Sequence, residues 1–176
     1  MKDVKVHALL RLVVALLCLL PFWLDGPAAA SGAETMPAFA LPDLGSGVGT
    51  IGSEDFQGTV VLVNFWATWC PPCRREIPSL VKIQDQYGDK GVVVLGISLD
   101  KGDRDKVAAF IKKIGVNYPV ALGDTEIARK FGALGAIPFT FLVDRQGRIV
   151  NKYPGYTTYE SLRDSVEALL AADKAP

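Results

Sequence analysis

The sequence predicts an α/β domain: a central mixed β-sheet flanked by helices, with an N-terminal β-hairpin extension. Three observations carry this reading. Two continuous apolar runs, Val60–Trp66 and Val92–Ser98, are separated by a helix-length stretch, as strands buried on both faces of a parallel pairing are. Two further runs flank Arg145-Gln146-Gly147 and read as a hairpin, whose strands must be antiparallel. An amphipathic stretch, Thr158–Ala171, then closes the chain. Alternating strands and helices followed by a hairpin and a helix give both kinds of pairing in one sheet.

At 176 residues the chain holds one domain and an extension. The extension comes first. Lys2, Lys5 and Arg11 form a basic start, and Leu12–Leu24 is an uncharged apolar run of 13 residues. That is shorter than the ~20 residues of a comfortable membrane span. Ala28-Ala29-Ala30 then supplies the small residues of a cleavage site. Residues 1–30 read as an export signal cleaved after Ala30, with an uncleaved membrane anchor over Val6–Leu24 as the alternative. Residues 31–36 read as a short linker, 37–172 as the folded domain and 173–176 as a loose tail. Removing 1–30 leaves 16 basic and 17 acidic residues, a net charge of −1. That balance argues against nucleic acid, which calls for a basic face. His7 leaves with the signal, so no histidine triad, histidine metal site or haem histidine remains.

The elements follow in order. Gly45–Gly49 is a glycine-rich turn joining Phe39–Leu41 to Val48–Ile51 as the hairpin. After the strand Val60–Trp66 comes Cys70-Pro71-Pro72-Cys73, then a helix from near Arg74 to Tyr87, stopped by Gly88. Ile77, Leu80, Val81 and Ile83 make its apolar stripe, and Pro78 lies inside it, where it removes a hydrogen bond. Arg104–Ile114 is a second helix with Val107, Phe110, Ile111 and Ile114 on one side, and Gly115 ends it. Tyr118–Ala121 reads as a short strand and Thr125–Phe131 as a short helix. Pro138–Val143 and Ile149–Tyr153 form the late hairpin.

The chemistry concentrates at the C-x-x-C. Two thiols three residues apart at the start of a helix can close into a disulfide and reopen. The helix amides and dipole favour a thiolate in the first turn, which lowers the pKa of the leading cysteine. Cys18 lies in the signal, so Cys70 and Cys73 are the two cysteines of the exported chain. A structural bridge of so small a loop restrains little of the unfolded chain. Zinc wants four ligands, and no second C-x-x-C or histidine supplies them. Copper(I) on two thiolates stays open, since soft sulfur suits it.

This arrangement resembles the thioredoxin fold. The match rests on Phe65-Trp66-Ala67-Thr68-Trp69, the Cys-Pro-Pro-Cys and the late Ile137-Pro138-Phe139-Thr140. More narrowly it is similar to the TlpA/ResA group of exported thioredoxin-like proteins, on Val63-Asn64-Phe65-Trp66-Ala67-Thr68-Trp69-Cys70 and Arg74-Arg75-Glu76-Ile77-Pro78. The resemblance implies a thiol–disulfide oxidoreductase in the periplasm or another extracytoplasmic space, needing no cofactor. Its partners would be client proteins with disulfides and a membrane electron donor. Cys70 would be the exposed nucleophile and Cys73 the buried resolving thiol. Pro138, alone readable as a turn proline, would follow a cis bond after Ile137 and face the disulfide, letting a client backbone approach. Asn64 stands where cytosolic thioredoxin has an acid. Glu76, at i+3 from Cys73, matches the group's glutamate near the thiols, and would take a proton from Cys73 if buried. Alone, it reads equally as a solvated first-turn glutamate. Trp66 reads as core and Trp69 as an apolar contact for a partner. Arg74 and Arg75 either hold the thiolate by charge or point to water. Thiol peroxidases share the fold, but their Pro-x-x-x-Thr/Ser-x-x-Cys would need proline at Val63 and a hydroxyl at Ala67.

Overall fold

The structure, a computed structural model, describes residues 34–45, 48–102, 104–133 and 135–172. The expected export signal and the expected tail 173–176 lie outside the described residues. Seven strands appear among those described: β1 (Ala40–Pro42), β2 (Thr50–Gly52), β3 (Val60–Trp66), β4 (Val92–Ser98), β5 (Val120–Leu122), β6 (Phe139–Val143) and β7 (Ile149–Pro154). The helices are α1 (Pro71–Tyr87), α2 (Arg104–Lys113), α3 (Thr125–Phe131) and α4 (Tyr159–Ala172). Short 3-10 turns at Ser53–Phe56 and Gly88–Lys90 carry no periodic signal and were not expected.

β1 and β2 form the expected antiparallel hairpin. The main sheet has the order β5-β4-β3-β6-β7. β3 pairs in parallel with β4, and β4 with β5, while β6 and β7 run antiparallel. β3 is therefore central and every one of its seven residues is buried. Its side chains alternate between two cores, as the two-residue strand period requires. Val60, Leu62 and Trp66 face a layer built from α1, α2 and α4, with Ile77, Leu80, Ile83, Val107, Leu162 and Val166. Val61, Val63 and Phe65 face α3 and the N-terminal segment, with Ile127, Phe131, Phe39 and Phe56.

Several boundaries differ from expectation. α1 starts at Pro71 instead of near Arg74, because proline suits the first helical positions, where no N–H is needed. Pro78 sits inside it without ending it. Residues 34–36, expected as linker, join the sheet: Ile149 N–H donates to Glu34 O at 2.7 Å and Met36 N–H to Gly147 O at 2.8 Å. Ile114, expected in the apolar stripe, lies beyond the end of α2 and is 38% exposed.

Candidate active site

The site is built where β3 ends and α1 begins. Cys70 is the N-cap of α1, and Pro71 and Pro72 fill the next two positions. Those prolines have no N–H to offer, so the first free amide of the helix belongs to Cys73. It donates to Cys70 Sγ at 3.3 Å. A helix N-terminus thus directs its dipole and its first donor at one sulfur, the arrangement that favours a thiolate. Cys70 and Cys73 are joined in a disulfide, with Cα atoms 5.3 Å apart.

The peptide bond between Ile137 and Pro138 is cis, and Pro138 is buried. The Ile137 carbonyl lies 3.6 Å from Cys70 Sγ. An open groove of about 570 Å³ runs past this point, lined by Trp69, Cys70, Pro72, Leu99, Lys101 and Ile137 among others. Cys73 is not among its lining residues. Cys70 is less open than expected of an exposed nucleophile, at 3% exposure. Trp69 is the residue that protrudes, at 67%. Trp66 is core, stacked on Phe110 with ring centroids 5.9 Å apart. Arg74 lies over Phe110 and Arg75 over Tyr156, at 5.7 and 5.9 Å from the ring centroids. Their guanidinium groups therefore lie against rings.

Glu76 is fully buried, one turn beyond Cys73 on α1. That decides between the two sequence readings: it is not a solvated first-turn residue. Its carboxylate accepts from Asn64 Nδ2 at 2.9 Å and from Thr157 N–H at 2.8 Å. Asn64 Nδ2 also donates to Thr140 Oγ1 at 2.8 Å. Burial pushes the Glu76 pKa from 4.5 up to about 7, against the lowering effect of these hydrogen bonds. Tyr118, whose phenol burial also pushes up, is within electrostatic reach of Glu76. Thr157 and Thr140 were missed as site residues. Thr140 had a signal, a polar residue in an apolar strand two places after Pro138. Thr157 had none, because it arrives from a loop 81 residues further along the chain.

A disulfide at a helix N-terminus, beside a cis-proline and an open groove on a mixed five-stranded sheet, defines a thioredoxin-fold thiol–disulfide oxidoreductase. The comparisons agree. The sequence profile described as the AhpC/TSA family matches residues 33–152, and the chain belongs to that family. Thiol-disulfide oxidoreductase ResA of Bacillus thuringiensis subsp. konkukian is 32% identical over 134 residues, 76% of this chain and 75% of that protein. Thiol:disulfide interchange protein DsbE of Pseudomonas aeruginosa is 32% identical over 163 residues, 90% of this chain and 87% of its own. Among solved structures, a thiol:disulfide interchange protein of the thioredoxin family from Chlorobium tepidum superposes with a TM-score of 0.72. It is 28% identical, over 81% of this chain and 99% of that one.

Proposed function

We propose that the protein acts outside the cytoplasmic membrane as a reductase of disulfides in client proteins. The observation that carries this is the asymmetry of the pair: both sulfurs are buried, but Cys70 lines the groove, whereas Cys73 does not and lies one turn from Glu76. In the reduced protein the Cys70 thiolate attacks a client disulfide. One client sulfur leaves as thiolate and a mixed disulfide forms. Glu76, with a pKa near 7, accepts the Cys73 proton. The Cys73 thiolate then attacks Cys70 Sγ, and the second client sulfur leaves. The client has gained two electrons and the protein ends oxidised, as it stands in this structure. A membrane electron donor restores the dithiol. Ile137, Pro138 and Trp69 form the client-binding wall, and the resemblance to the TlpA/ResA group points to clients such as apocytochrome c or a metal-site protein.

Peroxide reduction is the weaker reading on this chain. Val63 and Ala67, where peroxidases need a proline and a hydroxyl, are both fully buried apolar residues. The N-terminal sequence supports export, by a cleaved signal or as a tether. Among the described residues no helix is long and apolar enough to cross a membrane.

The test is a trapping experiment in the source cells. Cys73→Ala should accumulate a mixed disulfide through Cys70, and Cys70→Ala should neither trap a client nor reduce one while keeping the fold. Full activity in Cys70→Ala would remove the nucleophile assignment.

A further inference from the structure

We infer that Asp100 is a positioning residue that sets how Trp69 and Cys70 are presented to the client. This rests on the reading of Cys70 as nucleophile. The four residues Ala67–Cys70 form a tight turn, closed by Cys70 N–H donating to Ala67 O at 3.1 Å. Its ends are fixed by β3 and α1. Its middle has little packing to hold it, since Trp69 is 67% exposed and Thr68 only half-buried. Hydrogen bonds must do that, and Asp100 supplies them. Thr68 N–H donates to Asp100 Oδ2 at 2.9 Å, and the Thr68 hydroxyl donates to Oδ1 at 2.6 Å. Both oxygens of one carboxyl group thus grip both donors of one residue.

The carboxylate is itself held. The Ser98 hydroxyl donates to Asp100 Oδ2 at 2.8 Å, and Asp100 N–H donates to Ser98 Oγ at 3.2 Å. Ser98 is fully buried at the end of β4. Leu99 N–H donates to Trp66 O at 2.8 Å, joining the same two chain segments again. Asp100 therefore ties the turn to the rigid centre of the sheet. Its neighbours Leu99 and Lys101 line the groove that Cys70 and Ile137 also line. One carboxylate fixes the sulfur relative to the surface on which the client lies. A small misplacement of a reacting atom can cost up to about a hundredfold in rate.

The test compares two substrates of the reduced protein: a synthetic peptide closed by one disulfide, and the small disulfide DTNB. A peptide needs the sulfur in register with the groove, whereas DTNB needs only a thiolate. Asp100→Ala should lower kcat/KM for the peptide by about tenfold and leave the DTNB rate within about twofold. Thr68→Val, which keeps the N–H and loses the hydroxyl, should show a smaller loss of the same kind, and Thr68→Ser should restore the peptide rate. The double variant Thr68→Val/Asp100→Ala should be no slower than Asp100→Ala, because the two act through one contact. An unchanged peptide rate in Asp100→Ala would overturn the proposal. So would peptide and DTNB rates falling in step with lost thermal stability, or losses that multiply in the double variant. Cys70→Ala in the same assay separates the two readings, since it must abolish peptide reduction whatever Asp100 does.

Discussion

A carboxyl group with no exposed surface must find donors or keep its proton, and Glu76 does both. Asn64 and Thr157 each give it one hydrogen bond, yet burial still holds its pKa near 7. At neutral pH it is therefore close to half protonated, the condition in which a group both takes and returns protons readily. Asn64 explains why the acid sits on the helix instead of the strand. It donates to two oxygens at once and fixes the carboxylate's orientation without competing for the proton. Glu76→Gln keeps the shape and loses the proton acceptor. At pH 7 the variant should resolve its mixed disulfide about a hundredfold more slowly, the low end for a lost general base. The defect should shrink as pH rises past the pKa of the Cys73 thiol, because solvent then removes the proton unaided. Stopped-flow measurement of the resolving step across pH checks this, and a pH-independent defect would exclude Glu76 as proton acceptor.

At the scale of elements, burial on both faces makes strands legible. β3 and β4 match the expected continuous apolar runs, and α3 spans the expected Thr125–Phe131, with caps that the structure places at Asp124 and Gly132. Asp124 Oδ1 caps the amides of Glu126 and Ile127, and Gly132 takes the left-handed conformation at φ 77°. Local chemistry encodes such ends. α1 starts before the expected position near Arg74 because both proline rings fit the first turn. What the sequence did not reveal is contact across long separations. Thr68 with Asp100 and Glu76 with Thr157 are pairs whose spacing carries no periodicity. Gly96 is another case. A side chain there would meet Trp66 Nε1 at 3.1 Å and the Tyr118 ring at 3.3 Å, so the strand stays bare where two aromatics crowd it. The opposite face depends on Phe131, fully buried with its ring centroid 5.1 Å from Phe65 and 5.4 Å from Phe141. Phe131→Ala should cost about 3–5 kcal/mol of unfolding free energy, the usual range for removing a core ring. Urea unfolding measures it, and a loss under about 1 kcal/mol would mean that α3 repacks freely over the sheet.

For the molecule as a whole, the N-terminal segment and the buried acid have opposite effects. The segment touches both edge strands of the sheet: Leu44 N–H donates to Val120 O on β5, and Ile149 N–H at the start of β7 donates to Glu34 O. Unpaired edges invite association with other chains, so these contacts cap one end of each edge strand. Glu76 works against stability once it ionises. Its pKa is 4.5 when solvated and about 7 when folded. Between those values the native state binds more protons than the unfolded state, so stability falls as pH rises. Its contribution is fully present below about pH 4.5 and lost above about pH 7. The shift corresponds to about 3 kcal/mol. Unfolding of the oxidised protein in urea at pH 5 and pH 8, for wild type and Glu76→Gln, isolates this contribution, since other titrating groups cancel in the comparison. Wild type should lose about 2–3 kcal/mol more than the variant over that interval, most of the full shift. Equal losses in the two proteins would mean that the carboxylate is solvated when charged, and with it would go the argument that burial tunes this group for proton transfer.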